Sequence, residues 1–424
     1  MKALPPTCTG PSISLTQFAR AFSAAGDPNL PDWPLPPGRL ILTHSARGAI
    51  ALACNAWNLG PGDEALAPAY NCGCEIDALL AASLHVKFYR VDQHAQPDWD
   101  DCRRRVTGRT RLILVTHTFG RPLGLNDLGT WCRANGLRLL EDCAHALFSS
   151  HTNPPEAGRP HWEPVGGLGD AAIFSLPKTL PIPDGGILVF RSGAHISPPN
   201  VGELRRADVA TVWREALPLL KNHLVQRSTV FRACYRLLRK SRQDHRTARP
   251  DDFSDMPASY YFDPALRRRR MSAVSARLAA SCQPAQIVER RRSNYYRLLS
   301  QISRTGDVRP LFDDLPDGTC PLVLPLLALQ RDELCRALRR HGVDAIPWWA
   351  GYHPAFAWDE FPEAAFLKDH VLALPVHQQL GPADIDVIAA VLHEVQSSLS
   401  APERLRKQSA VPAQAPDHFL GAGR

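Results

Sequence analysis

The stretch that decides the fold is Asp170–Val189, DAAIFSLPKTLPIPDGGILV. Ala171 to Phe174 is apolar and reads as a buried strand. Ser175 ends it, and Leu176, Pro177 and Lys178 open a Pro-rich turn. Asp184, Gly185 and Gly186 then lead into a second apolar run, Ile187 to Phe190. In open α/β sheets, ligands bind where strands deliver their C-terminal ends into loops, and Lys178 stands at such a point. A lysine desolvated there can lose its proton and act as an imine-forming amine. Taken by itself, the stretch is read equally well as a loop with a surface lysine.

The chain upstream favours the first reading. Leu40 to Thr43 reads as a short strand, followed by HSARGAIALACNAWNLG. Ile50, Cys54 and Trp57 are spaced as on a helix, and Gly60 can stop it. Ser45 is a good N-cap, so Ala46, Arg47 and Gly48 fall in the first turn. Free N–H groups and the positive end of the helix dipole gather there and suit a phosphate. GPGDEALAPAY then gives a turn and a strand reaching Pro68 to Tyr70. A helix over about Glu75 to Ser83 precedes a strand over His85 to Val91. Arg111 to Val115 is a further strand, closed by His117, Thr118, Phe119 and Gly120. Asn126 to Asn135 reads as a helix and Leu137 to Leu140 as a strand ending in Glu141, Asp142, Cys143, Ala144 and His145. Strands alternating with helices predict a mostly parallel sheet covered on both faces. A carboxylate at the end of a buried strand, as at Asp142, needs a cationic partner to stay charged. An arginine or the protonated ring nitrogen of a cofactor would serve.

Composition sets the outer limits. The chain has 424 residues, more than one core usually holds, so two domains are expected. Hydrophobic residues make up 44% and charged residues 21%, as in a soluble enzyme. No apolar run is long enough to cross a bilayer, and MKALPPTCTGPSISL lacks the apolar core of a signal peptide. The 11 cysteines are scattered without CxxC pairs, which predicts reduced thiols in a cytoplasmic protein. Cys72 and Cys74 lie close together and Cys143 could approach them, but no spacing supports a metal, and none is expected. A net charge of +7 permits an anionic substrate without requiring nucleic acid. No Walker loop, GxGxxG fingerprint or nucleic-acid motif is present.

The ordered set of motifs resembles a known family. The Ser-capped helix, GPGDE, HTFG, LLEDCAHA, GDAAIFS, the lysine and DGG follow one another as in the DegT/DnrJ/StrS sugar aminotransferases. RMSAVSARLAA (Arg270 to Ala280) and FPEAAFLKDHVLALPVHQQLGPADIDVIAAVL (Phe361 to Leu392) resemble later family segments. The resemblance implies an α/β, fold-type I transferase dependent on pyridoxal 5'-phosphate. Its large domain would hold a mostly parallel sheet flanked by helices, with a smaller C-terminal α/β domain after it. It implies Lys178 as the cofactor-linking lysine that shuttles a proton, and Asp142 as partner of the pyridine nitrogen. His145 falls where the family usually has glutamine, close to the ring hydroxyl. Ser175 and the helix start at Ala46 and Arg47 would hold the phosphate. Three departures stand out. Only Leu176 and Pro177 separate Ser175 from the lysine. Cys72 stands where a stacking aromatic is usual. An asparagine that reaches the partner subunit is replaced within Arg267 to Arg270.

The expected organisation is an N-terminal extension (1–39), a cofactor-binding domain (40–195), a basic helical insertion with a loop (196–260), a linker and small domain (261–398) and a disordered tail (399–424). In the insertion, Leu224, Phe231, Tyr235 and Leu238 share a helical face. Arg227, Arg232, Arg236, Arg239 and Lys240 occupy the others. That basic surface suits a membrane or anionic substrate; a helix packed on the body with a solvated face is the preferred reading. In PWWAGYHPAFAW, Trp348, Trp349, Tyr352 and His353 could face a substrate or simply pack on a neighbouring loop, and Trp348 and His353 are the substrate candidates. The expected function is amino transfer from an amino acid such as glutamate to a keto-sugar, nucleotide-linked, in polysaccharide or secondary-metabolite biosynthesis, by a homodimer. The alternatives are another reaction of the cofactor, such as dehydration, and a non-catalytic cofactor-binding protein of surface-polysaccharide assembly. Relatives that dehydrate tend to carry histidine in place of the lysine, so Lys178 counts against dehydration.

Overall fold

The computed structural model describes residues 11–24, 30, 33–156, 159–192, 204–228, 231, 253 and 256–409. After helix α1 (Leu15–Ser23), the chain alternates strand and helix: β1 (Gly38–Thr43), α2 (Ala46–Ala56), β2 (Glu64–Pro68), α3 (Cys74–Ala81), β3 (His85–Tyr89), α4 (Trp99–Arg105), β4 (Thr110–Thr116), α5 (Asn126–Ala134) and β5 (Arg138–Asp142). A hairpin of β6 (Ser150–Glu156) and β7 (Arg159–Pro164) interrupts the alternation before β8 (Ala171–Ser175), the one-turn helix α6 (Leu176–Thr179) and β9 (Gly186–Arg191).

Seven strands form one sheet in the order β1-β9-β8-β5-β4-β2-β3. The run β8-β5-β4-β2-β3 is parallel, and β9 is antiparallel to both its neighbours. Alternate residues of each strand face opposite layers. Leu112, Leu114 and Leu140 enter one core with α2 and α3; Ile113, Val115 and Leu139 enter a second core with Leu125 and Leu128. Burial on both faces explains why these strands read as continuous apolar runs instead of alternating ones.

The rest of the chain builds a second, smaller sheet. A two-residue strand β10 (Arg205–Arg206) and helix α7 (Val209–Arg227) come first, and β11 (Arg269–Arg270) pairs with β10. Helices α8 (Ala273–Ala280) and α9 (Pro284–Leu299) follow, the second beginning at Pro284. Strands β12 (Val308–Pro310), β13 (Val323–Ala328), β14 (Ile346–Pro347) and β15 (Val371–Pro375) form a four-stranded antiparallel sheet, order β12-β13-β15-β14. Helices α10 (Arg331–Arg340), α11 (Pro362–His370) and α12 (Pro382–Ser409) complete it. Tyr295, Leu298, Leu334, Leu338, Ile385 and Ile388 form its core with Leu324 and Leu374.

One expectation changes. The last helix continues to Ser409, past the point where a disordered tail was expected. Of the basic insertion, Val212, Ala216 and Leu220 of α7 pack into the body with Phe18 of α1, while Phe231 is exposed. Tyr235, Leu238, Arg232, Arg236, Arg239 and Lys240 lie outside the described residues. No described helix is long and apolar enough to cross a membrane.

One buried carboxylate ties this architecture to the site. On β5, Glu141 and Asp142 point to opposite sides, as neighbours on a strand must. Glu141 is fully buried and accepts the N–H groups of Gly166 (3.1 Å), Leu168 (2.8 Å) and Gly169. Its Oε2 also lies 3.0 Å from His117 Nε2. These bonds lock the turn that feeds β8 to the strand that carries Asp142. Burial works against the charge, but His117 and the Gly169 N–H hold the carboxyl below its ordinary range. A carboxylate with a depressed folded pKa contributes its full stability above the ordinary carboxylate range and loses it as pH falls through the folded value. Glu141→Ala leaves several buried donors unpaired and is expected to cost about 3–5 kcal/mol. The same variant should flatten the acid limb of Tm against pH; a parallel, merely shifted curve would contradict this role.

Candidate active site

A cavity of about 560 Å³ opens between the two sheets. Its wall includes Ala46, Arg47, Asp142, His145, Ser175 and Lys178, all six residues expected to hold the cofactor. They arrive from the start of α2, the end of β5 and the β8–α6 junction, so the C-terminal edge of the large sheet assembles the site. Trp348 and Trp349 line it as well, from the loop after β14, and bring the small sheet into the wall.

Lys178 rides on α6, with Pro177 pre-set at its second position. The short spacer after Ser175 therefore works: one helical turn carries the lysine into the cavity. The end of that turn is held from the small sheet's side. The Thr179 carbonyl accepts from Arg291 Nη2 at 3.1 Å and Gln378 Nε2 at 2.9 Å. Arg291 is buried and also donates to the carbonyls of Pro321 and Leu322 at 3.1 and 3.0 Å. Neither residue stood out in the sequence, because Arg291 sits inside the run ERRR, which reads as a solvated basic face.

The charge state of Lys178 is set by its neighbours as well as by burial. Burial alone would strip its proton, but Cys72, Cys74, Asp142 and Glu75 around it outweigh burial and raise its pKa. Asp142 moves as a buried carboxylate should: burial, and then Glu75, push it up to about 6, against Lys178 and the Ala144 N–H. That N–H reaches Asp142 Oδ1 at 2.8 Å. A cationic partner on Asp142 would cancel part of the field that keeps Lys178 protonated, and so favour its neutral amine.

His145 has a determined tautomer. The Phe119 N–H donates to its Nδ1 at 3.3 Å, so Nε2 carries the proton. Burial, and then Lys178, push its pKa well below the ordinary value, which keeps the ring neutral. Trp349 packs against it with ring centroids 4.9 Å apart and Trp348 at 5.2 Å. At the start of α2, Ser45 Oγ caps the Gly48 N–H at 3.2 Å. The Arg47 guanidinium is engaged elsewhere, by the carbonyls of Ser259, Tyr260 and Tyr261 at 2.8, 3.1 and 3.0 Å. The first-turn N–H groups of α2, not that guanidinium, are left for an anion.

Cys72 takes part in the wall through a compact cluster. Its thiol donates to Glu75 Oε2 at 2.6 Å and lies 2.9 Å from Cys74 Sγ. Cys143 does not join them; it groups with His117 and Glu141. The aromatic surfaces in the cavity come from Trp348, Trp349 and Tyr260. His353 is not part of this wall. Its Nδ1 accepts the Ala355 N–H at 3.2 Å and its Nε2 lies 3.5 Å from Asp77. It packs on Phe356 and Tyr261, the neighbouring-loop alternative. Nor do Arg267 to Arg270 line the main cavity: Arg267 lies over the Phe262 ring at 5.7 Å, and Arg269 and Arg270 form β11.

The donor set suits pyridoxal phosphate: an amine for its carbonyl, an ionisable carboxylate lacking a buried cationic bond partner for its ring nitrogen, an N–H donor at His145, and helix N–H groups with Ser175 for its phosphate. Comparison with known proteins agrees. Residues 39–198 match the profile of the DegT/DnrJ/EryC1/StrS aminotransferase family. The dTDP-4-dehydro-2,3,6-trideoxy-D-glucose 4-aminotransferase of Saccharopolyspora spinosa is 30% identical over 154 residues, 36% of this chain and 38% of that one. The L-glutamine:scyllo-inosose aminotransferase of Streptomyces griseus is 33% identical over 144 residues, 33% of this chain and 32% of that one. These matches thus span under two fifths of each relative's length. In three dimensions the likeness is wider. The aminotransferase TlmJ from Streptoalloteichus hindustanus aligns with a TM-score of 0.62 at 20% identity, over 92% of this chain and 98% of that one. Helicobacter pylori PseC, an aminotransferase of pseudoaminic acid biosynthesis, aligns at 0.64 and 15% identity, over 92% and 98%. The fold is that of fold-type I transferases, and residues 39–198 are similar to the DegT/DnrJ/EryC1/StrS aminotransferase family.

Proposed function

We propose that this chain is a pyridoxal 5'-phosphate-dependent aminotransferase that moves an amino group from an amino acid, with glutamate the favoured donor, to the keto group of a nucleotide-linked sugar. The observation that carries the reading is the convergence of Lys178, Asp142, His145, Ser175 and the α2 start on one cavity. The names of the relatives point to the substrate class: they act on a dTDP-linked keto-sugar and on scyllo-inosose. A polysaccharide or secondary-metabolite pathway, a homodimer and a cytoplasmic location follow from the same reading. The described cysteines, all free, are in keeping with a reducing compartment. The division into a cofactor-binding part (40–195) and a small domain (261–398) belongs to the proposal too.

The cofactor, when bound, supplies a ring that withdraws electrons from the amine-bearing carbon. Asp142 would hold the proton on the ring nitrogen, and His145 would donate its Nε2 proton to the ring hydroxyl. Ser175 and the first-turn N–H groups of α2 would anchor the phosphate. Lys178 Nζ, released as a neutral amine, would take a proton from one carbon and return it to another. Buried Trp348 and Trp349 would keep water from that exchange.

Borohydride reduction of the pyridoxal phosphate-loaded protein should fix the cofactor to the peptide containing Lys178. Mass spectrometry that finds it on another lysine would overturn the assignment, and Lys178→Ala should abolish the labelling. The raised pKa of Asp142 gives a second expectation. Above about 6 the carboxylate is ionised and able to pair with the ring nitrogen; below, it is protonated and the pairing is lost. Cofactor affinity should fall as pH drops from 7.5 to 5, and Asp142→Asn should be weak and nearly pH-independent over that range. Turnover in Asp142→Asn is expected to fall by ~10²-fold or more; an unchanged pH profile of binding would refute the role of Asp142.

A further inference from the structure

Lys368, on α11, is completely buried. Among the described residues, none of its hydrogen bonds or ion pairs is to a carboxylate. Its ammonium donates to three backbone carbonyls, those of Asn71 at 2.7 Å, Trp349 at 3.1 Å and Gly351 at 3.0 Å. It also lies 4.8 Å from the centre of the Trp358 ring and 5.5 Å from that of Tyr352. A buried cation is costly unless its hydrogen-bonding capacity is filled, and here three donors meet three acceptors with aromatic faces beside them. Its own carbonyl accepts from Arg331 Nη1.

The carbonyls it gathers come from the segments that carry two different walls of the cavity, lined by Cys72 on one side and Trp349 on the other. Asn71 precedes Cys72 and the cluster with Glu75, on the large sheet's side. Trp349 and Gly351 belong to the loop after β14, on the small sheet's side. Trp349 has φ +52°, a left-handed conformation that a bulky residue adopts only under constraint. The ring of that strained residue is the one packed 4.9 Å from His145. Phe119, whose N–H fixes the His145 tautomer, is also left-handed, at φ +60°. Strain of this kind persists only where surrounding bonds over-determine it, and the Lys368 bond to the Trp349 carbonyl is such a bond.

We infer that Lys368 is a positioning residue: by tying the Asn71 loop to the Trp349–Gly351 loop it holds the Trp349 ring against His145 and sets the shape of the cofactor cavity. The link to the cofactor rests on the function proposed above; the link to Trp349 does not. The groups that face Lys368 are Cys72 and Glu75 from the Asn71 side, Asp369 on its own helix, Arg331 from α10 and Tyr352 from the loop. Burial pushes Lys368 down to about 8, against Cys72, Glu75 and Asp369. Burial raises the Cys72 thiol and the Tyr352 hydroxyl instead, so Lys368 loses its proton before either of them does. Losing one proton removes one of its three donors and loosens the clamp.

The test uses the full-length chain and two variants, Lys368→Met, which keeps the stem without donors, and Lys368→Arg, which keeps the charge. Near-ultraviolet circular dichroism, without cofactor, reads tryptophan packing; visible absorbance reads pyridoxal phosphate affinity. Lys368→Met is expected to lose much of the tryptophan signal and to bind pyridoxal phosphate at least tenfold more weakly, and Lys368→Arg to recover part of both. A folded Lys368→Met with wild-type dichroism and affinity overturns the inference. Should Lys368→Met fail to fold, the wild-type protein decides. A reversible change in its tryptophan signal centred near pH 8 supports the clamp, and a flat signal from pH 7 to 9.5 overturns it. Wild-type protein that binds no pyridoxal phosphate would defeat the proposed function, while the dichroism arm would still judge Lys368.

Discussion

The structure is arranged around a lysine and a carboxylate held together in one buried cavity. Lys178 and Asp142 each carry a charge that burial opposes, and neither is neutralised by a close bond to the other. Asp142 needs a cation; under the proposed function, Lys178 must at some stage become a neutral amine. A ligand that brings a protonated ring nitrogen to Asp142 meets the first need and, by damping the field on Lys178, helps the second. The large sheet supplies both groups from its C-terminal edge. The small sheet supplies the bonds from Arg291 and Gln378 that hold the turn under Lys178. The cavity therefore depends on both sheets being in place.

Around this pair, polar groups are fixed by backbone bonds more than by side-chain partners. The Phe119 N–H chooses the His145 tautomer, the backbone of 166–169 surrounds Glu141, and three carbonyls surround Lys368. Gly120 shows how tightly the segments fit: it has φ +94°, and a Cβ there would collide with the Cys320 carbonyl. Backbone acceptors and donors do not titrate, so a change of shape with pH has to come from the side chains they hold, Lys368 among them.

Much of this was legible in sequence because parallel strands buried on both faces leave unmistakable apolar runs, each followed by the residue it delivers. That pattern located Asp142, Ser175 and Lys178 and the Ser45-capped helix. It did not show that β9 runs antiparallel, since strand direction leaves no trace in composition. Glu75 and Cys72 come to Lys178 from another strand–helix junction, so the sequence did not show them beside it. Lys368 and Arg291 were invisible for a related reason. Lys and Arg on helices are solvated far more often than buried, and only the three-dimensional gathering of carbonyls marks these two as different. His353 was expected near substrate from its loop, yet Asp77 and Ala355 claim it.

The central claim is that this cavity performs amino transfer, and it is tested most directly by the visible absorbance of the purified protein with pyridoxal phosphate, before and after adding L-glutamate. Amino transfer predicts a band that forms on cofactor binding and collapses to the spectrum of the aminated cofactor when glutamate is added. A band that forms but persists with glutamate and with the other common amino donors would contradict amino transfer and leave a cofactor-binding protein with a different role.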